Sequence, residues 1–85
     1  MAVAIAVRTR YFARLRELAG VEVEVTQLPV GSTLADVYEA VSSRHSALPE
    51  RTAVRGVLNQ EFAEWTATVS NGDEVAFIPP VSGGI

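Results

Sequence analysis

Gly83 and Gly84 are the residues whose type and placement best suit covalent chemistry in this 85-residue chain. They lie in the stretch Pro79-Pro80-Val81-Ser82-Gly83-Gly84-Ile85. Proline donates no backbone N–H and holds φ at about −65°, so a strand stops there and the chain continues extended. Glycines add nothing to a core and lose the most conformational freedom on ordering. Such an end makes physical sense as a thin peptide that enters a channel or presents its own carboxyl group to another protein. On spacing alone it reads equally well as a frayed terminus.

Other reactive residue types are scarce. There is no cysteine, which excludes disulfides, thiolate-bound zinc and a cysteine nucleophile. Any sulfur chemistry would have to use sulfur outside the side chains. His45 is the single histidine and has no partners at metal-ligand spacing, so no metal site is expected; it reads as a helix C-terminus that tolerates a cation. All seven basic residues are arginines, and Arg8, Arg10, Arg14 and Arg16 are clustered. That cluster is either a solvated face or a cationic patch for an acidic partner. A net charge of −3 argues against nucleic acid as a partner. No apolar run is long enough to span a membrane. Met1 to Val7 lacks a basic start and reads as a strand, not a signal peptide, so a cytoplasmic location is expected.

The elements that must position the tail follow from periodicity. Val3, Ile5 and Val7 alternate with smaller or polar residues, predicting a first strand to about Tyr11 with one buried face. Phe12 then falls on the opposite side. Residues 13–19 favour one or two helical turns, stopped by Gly20. Val21, Val23 and Val25 alternate with Glu22, Glu24 and Thr26, predicting a strand that buries valines and exposes acids. Thr33-Leu34-Ala35-Asp36 forms a capping box with Asp in the acidic place. Leu34, Val37, Tyr38 and Val41 then make one apolar stripe, so the main helix runs from Leu34 to about Arg44. A third strand is expected over 53–58, a turn at Asn59-Gln60-Glu61, and a short strand or irregular edge near Phe62 with Trp65 covering the core. Asn71-Gly72 marks a turn before the last strand, Glu74 to Ile78, in which Val75 and Phe77 share a face and Ile78 points the other way. One helix on a mixed sheet of four or five strands is an α+β roll, with a domain over 1–78 and a flexible tail over 79–85.

Four segments carry a resemblance to a known family: residues 11–20, Leu58-Asn59-Gln60-Glu61, residues 71–78, and Pro79-Pro80-Val81-Ser82-Gly83-Gly84. In these the chain resembles the small subunits of molybdopterin synthase, ubiquitin-like sulfur carriers of molybdenum cofactor synthesis. The resemblance implies a ubiquitin-like β-grasp fold with the first and last strands parallel at the sheet centre. It implies that a ubiquitin-activating-like adenylyltransferase uses ATP to adenylate the carboxyl of Gly84, with Gly83 beside it, and that sulfur then displaces AMP to give a thiocarboxylate. It implies a second partner, the large subunit of the synthase, in a heterotetramer that acts on cyclic pyranopterin monophosphate. The chain would be a subunit without catalysis of its own and with no bound cofactor. Phe12, Phe62 and Ile78, with Arg16 at the rim, are the expected docking surface, and Pro79, Pro80, Val81 and Ser82 the inserted arm.

The chain departs from that family in Ile85, which follows Gly84. A free Gly84 carboxyl requires the loss of Ile85. The alternatives are that Ile85 is foreign to the working protein, or that the chain binds without transferring sulfur. Rival functions are a carrier for thiazole or cysteine synthesis, a ubiquitin-like protein modifier, and a plain interaction domain.

Overall fold

The computed structural model describes residues 4–79. The elements are β1 (Ala4–Tyr11), α1 (Ala13–Ala19), β2 (Val23–Pro29), α2 (Leu34–Arg44), β3 (Arg55–Leu58), β4 (Glu61–Phe62) and β5 (Glu74–Ile78), with one 3₁₀ turn at Arg51–Ala53. Val3 of the expected first strand and the tail residues Pro80, Val81, Ser82, Gly83, Gly84 and Ile85 lie outside the described residues.

The five strands form one sheet in the order β2-β1-β5-β3-β4. β1 and β5 are parallel, with Arg8 opposite Glu74 and Tyr11 opposite Phe77. β1 pairs antiparallel with β2, and β3 with both β4 and β5. This is the α+β β-grasp arrangement expected from the resemblance.

α2 covers one face of the sheet. Thr33 Oγ1 accepts from the Asp36 N–H at 3.2 Å, and Asp36 Oδ2 accepts from the Thr33 N–H at 2.9 Å, so both halves of the capping box form. Leu34, Val37, Tyr38 and Val41 are buried against Val7, Tyr11, Val75 and Phe77 of the sheet. Each such aliphatic side chain contributes about 1.5–3 kcal/mol when fully buried. Trp65 stacks on Phe77 with centroids 6.0 Å apart and closes the core beside Tyr38.

Two expectations are corrected. β2 has the opposite phase: Val23 and Val25 are 45% and 61% exposed, while Thr26 and Leu28 are buried and Glu24 is half-buried. Thr26 is satisfied inside by Thr9, hydroxyl to hydroxyl at 2.9 Å. β3 starts at Arg55 because Arg51–Ala53 closes a 3₁₀ turn instead of extending.

Candidate docking and transfer site

β5 carries the chain to the tail, and its alternation decides what surrounds the exit. Val75 and Phe77 turn into the core and leave Ala76 and Ile78 on the outer face. Phe12 caps the N-terminus of α1 in extended conformation, and its N–H donates to the Phe77 carbonyl at 3.3 Å. That bond ties the end of β1 to the end of β5. Ala13 follows at φ +53, a left-handed geometry seldom adopted by a residue with a Cβ, where β1 turns into α1. α1 ends as expected, with Gly20 at φ +81.

Phe12 and Ile78 line one outer-face cavity of about 140 Å³ with Val57, Ala76, Gln60 and Glu74. Phe12 is 45% exposed. Phe62 stands opposite Val57 in the β3–β4 pair, so it shares the outer face one strand further out. It is 63% exposed, with the Arg55 guanidinium 4.5 Å from its ring centre. Arg16 is exposed on α1, four residues after Phe12. Pro79 follows Ile78 directly. The structure thus gathers Phe12 and Ile78 at the strand end and places Phe62 on the same face. A contiguous exposed apolar patch of this kind suits a partner surface.

The turn between β3 and β4 braces this patch. Asn59 and Gln60 both have positive φ, +50 and +74, as a type I′ turn requires. Asn59 Oδ1 accepts from the Glu74 N–H at 2.9 Å, and the Asn59 N–H donates to the Glu74 carbonyl at 2.7 Å. The start of β5 is thereby fixed to the turn beside Phe62.

The charged cluster at the other face is structural. Glu24 accepts from the Tyr11 hydroxyl, sits 2.7 Å from His45 Nε2, and receives Arg44 Nη1 at 2.9 Å. Burial pushes the Glu24 carboxyl up, but the Tyr11, His45 and Arg44 contacts outweigh it and hold the carboxyl below the usual carboxylate range. Burial first, then the bond to Glu24, pushes the Tyr11 phenol well above its ordinary value. His45 is the C-cap of α2, as the sequence suggests, and Glu24 is the partner that spacing did not reveal. Among the described residues, no group of three or more His, Cys, Asp or Glu is placed to hold a metal. No helix among them is long and apolar enough to cross a membrane.

The ThiS family model matches residues 9–84, nearly the whole chain and through both tail glycines. The chain belongs to the ThiS family. Among its curated relatives are the molybdopterin synthase sulfur carrier subunits of Arabidopsis thaliana and Chlamydomonas reinhardtii. Both are 38% identical over 92% of this ThiS-family chain, covering 82% and 98% of those proteins. In structure it is similar to small archaeal modifier protein 1 of Haloferax volcanii, with a TM-score of 0.82, 26% identity, and coverage of 91% and 99%. The fold also matches a chain in a complex of subunits 1 and 2 of molybdopterin-converting factor from Helicobacter pylori, with a TM-score of 0.67, 22% identity, and coverage of 94% and 100%.

Proposed function

We propose that this chain is the sulfur carrier subunit of a molybdopterin synthase. The observation that carries the reading is the extent of the similarity: proteins of that name match 92% of the chain, and the family match runs to residue 84. The geometry supports it, because the strand that leads to the Gly-Gly motif ends beside the exposed Phe12–Ile78 patch. The described chain thus leaves the domain toward that motif from the docking surface.

The chemistry follows from the poor leaving group of a carboxylate. Hydrolysis of the Gly84–Ile85 amide adds water and leaves a Gly84 carboxylate and a free isoleucine amine. That carboxylate attacks the α-phosphorus of ATP on a partner adenylyltransferase and expels pyrophosphate, giving an acyl-adenylate. Hydrosulfide, the simplest sulfur donor, expels AMP and leaves a thiocarboxylate. The carrier then docks on the large subunit, where its sulfur attacks a carbon of the pterin precursor and displaces an oxygen substituent; water then cleaves the acyl–sulfur bond, leaving the sulfur on the pterin and a carboxylate on Gly84. Gly83 and Gly84, with the narrow arm Pro79, Pro80, Val81 and Ser82, let the end enter a confined site. The partners are the large subunit, in a heterotetramer, and the adenylyltransferase; ATP is bound by the latter. The setting is cytoplasmic.

Docking uses Phe12, Phe62 and Ile78 with Arg16 alongside. Phe62→Asp changes an exposed side chain, so it is expected to fold normally and to lose large-subunit binding. A variant that binds normally would remove this surface from the account. The function is tested by mixing the Gly84-ended chain with ATP, activating enzyme, sulfide, large subunit and pterin precursor. Dithiolene product that forms equally without the activating enzyme contradicts the reading. The curated relatives do not favour the rival reading, attachment to lysines of other proteins. Covalent conjugates that vanish on deletion of Gly84 would establish it.

A further inference from the structure

Strand partners in register point to the same face of a sheet, so the pairing lists the outer face residue by residue. Arg8 stands opposite Val25 on one side and Glu74 on the other. Arg10 stands between Val23 and Ala76 in the same way. Arg55 stands opposite Ile78, and Val57 between Ala76 and Phe62. On the outer face Arg8 and Arg10 of β1 therefore form a row between Val23 and Val25 of β2 and the apolar group Ala76, Ile78, Val57 and Phe62, with Arg55 opposite Ile78. Among the strand residues paired on this face, Glu74 is the one acid. The chain as a whole is acidic, at −3. Its acids collect elsewhere: Asp36 and Glu39 are exposed on α2, across the sheet from this face.

The arginines are not consumed by partners within the fold. Glu74 reaches Arg10 Nη1 at 3.5 Å, a loose contact. Arg10 Nε is buried and has no acceptor among the described residues. The Arg10 side chain as a whole is 36% exposed, so it remains open to a carboxylate from a partner. Arg8 is exposed, and Arg55 lies over the Phe62 ring, inside the docking surface itself.

We propose that the outer sheet face selects a protein surface whose apolar contacts are interleaved with carboxylates, and that Arg8, Arg10 and Arg55 supply this charge selection. The inference rests on the docking reading above and names the chemistry of the large-subunit surface that meets this face. An anionic polymer alone would leave Val23, Val25, Val57 and Ile78 uncovered, so the occupant is a folded protein. The arginines act before contact, by raising the encounter rate with an acidic surface. Steering of this kind multiplies association rates roughly 10–1000-fold and fades as salt shortens the Debye length to about 10 Å at 0.1 M and less above it.

The test is the association rate of the full chain with the large subunit purified from the same organism. It is measured at about 50 mM and about 500 mM salt. The variants are Arg8→Glu with Arg55→Glu, Glu39→Arg as a charge control on the helix side, and Phe62→Asp. Circular dichroism confirms that each is folded. The double arginine reversal is expected to slow association at least about tenfold at low salt, with most of the loss recovered at high salt. Glu39→Arg is expected to associate like the parent chain. An unchanged rate for the double reversal, with binding lost in Phe62→Asp, overturns the charge selection and leaves the docking surface standing. A loss equal at both salts overturns it too, since contact rather than charge would then be at work. Normal binding by Phe62→Asp overturns the docking reading and this proposal with it.

Discussion

Gly56 sits on β3 under the first turn of α2, and replacing it with alanine tests how tightly helix and sheet are locked. A Cβ at this position would lie 2.6 Å from Leu34 Cδ2 and 3.2 Å from Leu34 Cγ. Carbon pairs settle at about 3.5–4.0 Å, so the leucine must move by close to an ångström. It has little room, since Leu34 is fully buried. Its backbone is also pinned: the Leu34 N–H donates to the Ala67 carbonyl at 2.8 Å, and the Ala35 N–H to the Trp65 carbonyl at 2.9 Å. Overpacking of this kind costs about 1–3 kcal/mol. Alanine offsets part of that, roughly 0.5–1 kcal/mol, by restricting the unfolded chain. The net is roughly 0–2.5 kcal/mol, and its midpoint lowers Tm by roughly 5–10 °C for a domain of this size. Thermal unfolding followed by far-UV circular dichroism reads it. Adding Leu34→Val is expected to relieve the clash, so that the double variant loses less than the two single losses combined. A Gly56→Ala protein more stable than the parent, or strict additivity in the cycle, would refute the close approach.

Three further outcomes follow from the same contacts. Glu24→Gln removes the anion shared by Tyr11, His45 and Arg44 and is expected to destabilise the fold by about 1–3 kcal/mol, read by urea unfolding. Because the Glu24 carboxyl is held below its unfolded value, its contribution is full above the ordinary carboxylate range and lost as pH falls through the lowered value. The parent chain should therefore lose more stability than Glu24→Gln on acidification from neutral pH to about pH 3, and parallel curves would contradict this. Asn59→Ala loses both a positive-φ residue and the bond to Glu74, and is expected to cost about 1–2 kcal/mol while weakening large-subunit binding. Thr33→Ala removes the N-cap of α2 and should cost about 1 kcal/mol without affecting binding.

Where local chemistry specified an element, the sequence showed it. The Thr33–Asp36 box and the stripe from Leu34 to Val41 marked α2, and Asn71-Gly72 with the apolar run to Ile78 marked β5. Phe12 was legible because a strand phase continued past Tyr11 puts it outside. β2 was misread because alternation gives a period, not a face. Its valines are the more apolar set, yet they lie on the outer face among Arg8 and Arg10. Leu28, in phase with Thr26, was the available signal for the buried side. A sheet that keeps apolar residues on both faces defeats a rule that equates apolar with inward. The Glu24 cluster, the Gly56 approach and the arginine flank all depend on which strands are neighbours, which spacing along one chain does not contain.

Sulfur transfer turns on one carboxyl group, so the decisive measurement is the intact mass of the protein isolated from its own cells, before and after incubation with the large subunit and pterin precursor. The expected result is a species that has lost Ile85 and exchanged one oxygen for sulfur, with a return to the oxygen form on incubation. A protein that retains Ile85 under all conditions, and never carries the added sulfur, would contradict it.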